Sequence, residues 1–247
     1  MTYLLPAEQL LASAEKVRYK TTPQEDLFLY ILRPENGAGQ PLPGIVYFTG
    51  GGWVDGQPTG MISNAAWFRD QGIIGISADY RVASRHGTAP LECIEDARDA
   101  IRYVRANAEA LGIDPHRVVA AGGSVGGHLA VCTAAEGSAA FVLHNPVLGQ
   151  GFGDEFFAAY PEWSPLLQVA AGRPPTILSN GAEDATTPHA VAEEFTRRMR
   201  HAGNACELIT IPQAAHSCDW PAENPHFLPT LTRMAAFLMT HGLISTV

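Results

Sequence analysis

Lysine is almost missing from this 247-residue chain. Of 16 basic side chains other than histidine, all but Lys16 and Lys20 are arginine, and no lysine follows Lys20. A phosphate-cradling Gly-Lys-Ser/Thr loop, a Schiff-base lysine, a kinase strand lysine or a Ser-Lys dyad would have to run through one of those two positions. Those chemistries are set aside. Cysteine is also scarce: Cys93, Cys132, Cys206 and Cys218 form no C-x-x-C pair, so free thiols in a reducing cytoplasm are expected. No stretch approaches the roughly 20 apolar residues of a membrane span. The first 20 residues lack a basic start, and Glu8 and Glu15 interrupt their apolar positions. They read as the amphipathic opening of a cytoplasmic protein with no membrane partner, not as a secretory signal. Neither G-x-G-x-x-G nor H-E-x-x-H occurs, so a dinucleotide fingerprint and a zincin helix are absent. His216-Ser217-Cys218-Asp219 has no standard zinc spacing, and no metal is expected. The net charge of −9 argues against a nucleic-acid partner.

What is present is a globular composition, 46% hydrophobic and 17% charged with a mean hydropathy near zero. Apolar, β-rich runs fall at 27–32, 45–49, 73–78, 117–121, 139–144, 176–180 and 206–211. Several are continuous, as in strands covered on both faces. Helical stretches lie between them at about 60–71, 91–111, 125–136, 188–203 and 226–240. In the 91–111 stretch, Ile94, Ala97, Ile101, Val104, Ala108 and Leu111 form one apolar stripe, and Gly112 stands where a helix ends. The Pro/Gly-rich stretch 34–44 reads as a surface loop. No repeat or linker divides the chain. The expectation is one α/β domain over residues 1–247, with a mostly parallel sheet between helices.

The strongest chemical signal is RVVAAGGSVGGHLA at 117–130. A buried strand runs into Gly122-Gly123-Ser124-Val125-Gly126 and then a helix, the strand–turn–helix context that a G-x-S-x-G nucleophile requires. The glycines leave room around a strained serine, and the helix N-terminus favours negative charge beside it. A serine hydroxyl is a weak nucleophile that needs a base oriented by a carboxylate. The order expected is serine, acid, histidine, each in a loop after a strand. Glu183 and Asp184 follow the 176–180 strand. Of nine histidines, only His216 lies in a post-strand loop beyond that acid, whereas His128 is expected to pack or cap locally. Thr49-Gly50-Gly51-Gly52-Trp53 follows the 45–49 strand, and its glycines can turn amides toward a bound carbonyl. Gly51, Gly52 and Val125 are the candidate oxyanion donors, each such donor being worth about 3 kcal/mol.

Together these motifs make the chain resemble the α/β-hydrolase fold, and within it the hormone-sensitive-lipase-like esterases, from about residue 27 onward. The stretch 112–130 is similar to that family's helix end, strand and elbow, and Asp79-Tyr80-Arg81 looks like its Asp-Tyr-Arg. His216 in AAHS matches the base loop. Asp184 in GAEDATTP matches the acid loop and is preferred to Glu183, its shorter side chain also suiting a loop carboxylate. Two departures stand out: Thr49 replaces the histidine of His-Gly-Gly-Gly, and Val125 replaces the alanine after the serine. Neither removes a main-chain donor, though both bear on loop support and the width of the acyl pocket. The resemblance implies a sheet of about eight strands and a Ser124–His216–Asp184 esterase with no cofactor. The Gly-Gly-x-Trp ending also resembles kynurenine formamidases, and compact acetylesterases and feruloyl-esterase-like enzymes are further relatives. The rival readings are an amide or formamide hydrolase and a hydrolase-fold binding protein that no longer turns over.

Substrate choice is expected to sit in residues 149–170, rich in Phe152, Phe156, Phe157, Tyr160 and Trp163, read as a small lid or pocket wall. The N-terminal 1–20 segment could add a second flap. So short a lid suits acetyl to butyryl groups. The alcohol part of a small-molecule ester, carbohydrate or aromatic, would meet Trp53, Trp220, Phe152 and Phe156. The expected assembly is a monomer or homodimer.

Overall fold

The apolar runs become strands of one sheet in a computed structural model, which describes residues 2–35 and 40–245. Residues 36–39 of the expected 34–44 loop lie outside the described residues. The strands are β1 (Glu15–Thr21), β2 (Asp26–Leu32), β3 (Leu42–Phe48), β4 (Ile74–Ala78), β5 (Ile113–Gly123), β6 (Ala140–His144), β7 (Thr176–Gly181) and β8 (Cys206–Ile211). Their spatial order is β1-β2-β4-β3-β5-β6-β7-β8. β1 pairs with β2 and β2 with β4 antiparallel, and every other pair is parallel.

The helices are α1 (Ala7–Ser13), α2 (Ile62–Asp70), α3 (Ala83–His86), α4 (Pro90–Ala106), α5 (Ala108–Leu111), α6 (Val125–Cys132), α7 (Asp154–Ala159), α8 (His189–His201) and α9 (Phe227–Thr240). Side chains alternate across the pleat. Val46 and Phe48 of β3 therefore join the core made with α4, α6 and α8. Ile45 and Tyr47 join the opposite core, made with α1, α2 and α9. Burial on both faces explains why β4 and β6 read as unbroken apolar runs.

The structure corrects the expected elements in three places. The N-terminal segment carries an unforeseen edge strand, β1, whose outer positions are largely exposed. The 91–111 helix is broken at Asn107, whose φ of −108° and ψ of 19° depart from the helical region, so α4 and α5 are separate; its Nδ2 also donates to the Tyr103 carbonyl at 2.9 Å. The 125–136 helix ends at Cys132 and is followed by a short 3-10 turn. Gly112 does end α5, in the left-handed conformation with φ 67°.

Both lysines sit on β1, where charge discourages edge-to-edge pairing. Lys16 lies over the Phe28 ring, 3.9 Å from its centroid. Lys20 reaches Asp96 at 2.7 Å and Asp99 at 2.6 Å, fastening the edge strand to α4.

Candidate active site

Parallel order brings the carboxyl ends of β3, β5, β6, β7 and β8 to one rim: the loops that leave β3, β5, β7 and β8 carry the candidate triad, the oxyanion donors, Trp53 and Trp220, and the segment after β6 carries Phe152 and Phe156. Ser124 stands between β5 and α6 with φ 51° and ψ −120°, a conformation that side chains rarely adopt. Its backbone is held there from β6 and beyond. Ser124 N–H donates to the His144 carbonyl at 2.9 Å, and Val147 N–H donates to the Ser124 carbonyl at 3.0 Å. Gly126 is obligatory for this turn, because a Cβ there would lie 1.9 Å from the Phe48 carbonyl oxygen.

On the β7 loop, Asp184 is fully enclosed. Its Oδ1 accepts the amides of Thr186 at 2.9 Å and Thr187 at 2.8 Å. Its Oδ2 accepts the Thr187 hydroxyl at 2.7 Å, Asn145 Nδ2 at 2.9 Å and His216 Nδ1 at 2.8 Å. Burial pushes its pKa up, but the bonds from His216 and Thr187 outweigh that and hold it at about 2. Neighbouring Glu183 is exposed and makes no such contacts among the described residues. A proton on Nδ1 of His216 leaves Nε2 free to accept one. No hydrogen bond joins Ser124 Oγ to His216 among the described residues; in unliganded sites such bonds are often long and tighten around substrate.

The loop after β3 turns sharply at Gly51, φ 137°, whose carbonyl accepts from Val54 at 3.1 Å and Asp55 at 2.9 Å. A Cβ at Gly51 would sit 2.1 Å from the Asp55 oxygen. The amides of Gly51, Gly52 and Val125 donate to nothing among the described residues. Val125 opens α6, where first-turn amides have no helical partner. Two side chains support this loop, and the sequence reading named both positions without assigning their partners. The Tyr80 hydroxyl donates to the Thr49 carbonyl at 2.5 Å, and the Thr49 hydroxyl donates to the Gln57 carbonyl at 2.8 Å. Burial raises the Tyr80 pKa far above its ordinary value, so it stays a donor. The Asp-Tyr-Arg string was the available signal.

The aromatic residues divide. Trp220 is half-buried, 5.6 Å from the His216 ring between centroids, and flat against the glycines at 50 and 123. Phe152 covers Gly52, where a Cβ would meet its ring at 3.1 Å. Trp53 is only 5% exposed and packs with Phe152, Phe156, Phe157 and His128, so it supports the wall and offers little surface itself. His128 is fully buried, and burial lowers its pKa to about 4. Its Nε2 meets the Trp163 carbonyl at 2.9 Å, tying α6 to the 149–170 segment. That segment forms α7 and a 3-10 turn. All four cysteines are free. Among the described residues no cluster suits a metal, and no helix is long and apolar enough to cross a membrane.

The fold has close counterparts. Esterase 2 of Thermogutta terrifontis, with propionate bound, superposes with a TM-score of 0.89 at 34% identity, covering 96% of this chain and 97% of that one. The chain belongs to the α/β-hydrolase family. The same Thermogutta esterase phosphonylated by cyclosarin superposes with a TM-score of 0.90, also at 34% identity, over 96% and 97% of the two chains. Residues 29–148 match the family described as BD-FAE. Among curated relatives, ethyl acetate hydrolase of Pseudomonas putida is 31% identical over 70% of this chain. Esterase LipC of Mycobacterium tuberculosis is 26% identical over 90% of it. The chain spans 64% of the length of each of these two hydrolases. As an α/β-hydrolase, it has the eight-stranded, mostly parallel sheet with flanking helices that its sequence led us to expect.

Proposed function

We propose that this α/β-hydrolase cleaves carboxylic esters with short acyl groups, acetyl to butyryl, through an acyl-enzyme on Ser124. The observation that carries the reading is the 2.8 Å bond from His216 Nδ1 to a saturated Asp184, on the same rim as the strained Ser124 and three unengaged amides. His216 Nε2 takes the Ser124 proton as Oγ attacks the ester carbonyl. The amides of Gly51, Gly52 and Val125 receive the oxyanion. His216 then returns the proton to the leaving alcohol, and water repeats the sequence to release the acid. Asp184 orients the ring and stabilises its charged form. The substrate is a small molecule and no cofactor takes part. Phe152 and Trp220, beside the loop and the imidazole, are the side chains suited to bound substrate, and 149–170 acts as a short lid. Relatives described as esterases and as an ethyl acetate hydrolase support ester over amide, as does the propionate of the Thermogutta structure.

The test is a p-nitrophenyl ester series on the wild-type chain and on Ser124→Ala. Acetate to butyrate is expected to give the highest kcat/KM, and Ser124→Ala to lose roughly 10⁶-fold in kcat. An optimum at eight carbons or longer would refute the acyl range. An active Ser124→Ala chain, or one whose wild type resists an organophosphonate, would refute the nucleophile. N-formylkynurenine as the better substrate would favour the formamide reading.

A further inference from the structure

The loop that carries His216 has a backbone that cannot hold itself. Gln213 and Ser217 flank the histidine with φ of 56° and 61°, a region disfavoured for side-chain-bearing residues. Such conformations persist only where the surroundings enforce them. Three residues past His216, the Asp219 side chain enters the sheet and is 0% exposed. Its Oδ2 accepts His144 Nδ1 at 2.9 Å and the Ser179 hydroxyl at 2.5 Å. His144, also 0% exposed, is the last residue of β6, and its carbonyl receives the Ser124 amide. Beside it, Cys218 Sγ meets Asn145 Oδ1 at 3.7 Å, and Asn145 donates in turn to Asp184.

Stability is a poor explanation for this second imidazole–carboxylate pair. His144 Nε2 and Asp219 Oδ1 are buried without partners among the described residues. Buried polar atoms left without partners cost stability, and apolar side chains of the same volume would avoid that cost. Its placement is the distinguishing feature: one cluster grips β6, β7, the Ser124 amide's acceptor residue and the His216 loop. We propose that Asp219 is a positioning residue, and that the His144–Asp219–Ser179 cluster sets the reach of His216 toward Ser124. The proposal rests on His216 being the base of the reaction.

Kinetics of p-nitrophenyl acetate hydrolysis by the full chain test it, together with the downfield proton resonance of His216 Nδ1–H. Asp219→Ala is expected to lower kcat about 100-fold, the loss typical of a small misplacement, with KM nearly unchanged and the resonance shifted. Asp219→Asn keeps an acceptor oxygen and the same shape, and is expected to recover most of the activity and the wild-type resonance. The double variant His144→Phe/Asp219→Leu keeps the site filled with apolar groups. It is expected to melt within a few degrees of wild type and still lose turnover. Wild-type kcat in Asp219→Ala or in the double variant, beside an inactive His216→Ala, overturns this proposal alone. Turnover by His216→Ala overturns the base assignment and this proposal together.

Discussion

Asp184 and Asp96 are both carboxylates with side chains 0% exposed, yet their surroundings put them to opposite uses. On the β1–α4 flank, Asp96 meets permanent cations. Arg81 approaches through Nε and Nη2, both at 2.8 Å, and Lys20 through Nζ at 2.7 Å. The hydrogen bonds to Asp96 push the Arg81 pKa still further above its ordinary value, so that charge never changes. On the rim proposed as the active site, Asp184 is saturated by amides, a hydroxyl, a carboxamide and one imidazole. The bond from His216 and those from Thr187 keep it ionised with no permanent cation to cancel its charge, and in the proposed mechanism that charge stabilises the cation formed on His216 during turnover. A buried carboxylate locked by arginine and lysine is a fastener. One held by an imidazole, amides and a hydroxyl, with no permanent cation, is suited to orient that imidazole.

The largest expected effect that breaks this contrast is at Asp184. Asp184→Asn is expected to lose about 10⁴-fold in kcat on p-nitrophenyl acetate, because the ring is then held in the wrong tautomer. The same variant sharpens the contrast in acid. The folded-state pKa of Asp184 is depressed to about 2, so its contribution to stability is full above the ordinary carboxylate value. That contribution declines as pH falls from about 4 and is gone below about 2, so Asp184→Asn should flatten this part of a Tm-against-pH curve. Next comes Asp96→Ala, which strands Arg81 and is expected to remove about 3–5 kcal/mol in denaturant titration. Turnover per folded molecule should stay at the wild-type level; a specific loss of kcat there would erase the distinction between the two regions. Tyr80→Phe deprives the Thr49 carbonyl of its donor, at about 1–2 kcal/mol. Its kcat should fall by less than the ~100-fold of losing an oxyanion donor outright. Lys20→Met is expected to change stability by no more than ~1 kcal/mol, since Arg81 still holds Asp96.

The contrast also marks how far local pattern reaches. β4 and β6 were legible because burial on both faces leaves an unbroken apolar string. β1 was not, because an edge strand with exposed outer residues and two lysines looks like any polar segment. The α4–α5 break at Asn107 hid inside a perfect apolar stripe, since a kink that keeps the same face buried leaves the period intact. At the rim, the glycines around Ser124 and on the β3 loop announced tight turns by composition alone. Choosing between adjacent Glu183 and Asp184 needed a family resemblance, because nothing local says which carboxylate a folded loop turns inward. Asn145, Thr187 and Asp219 carried no signal in the string: they act through partners between 3 and 75 residues away.

The sequence by itself determined the fold class, the order of the rim loops and the candidate nucleophile, because period, glycine placement and strand–turn–helix context are local properties of the chain. It also excluded lysine chemistry, a matter of inventory. Only the tertiary structure decided what the two remaining lysines do, which donors from other loops help saturate Asp184 and which groups hold the His216 loop. Each is a contact between residues well separated along the chain, brought together by how strands β1 through β8 are ordered and not by sequence neighbours.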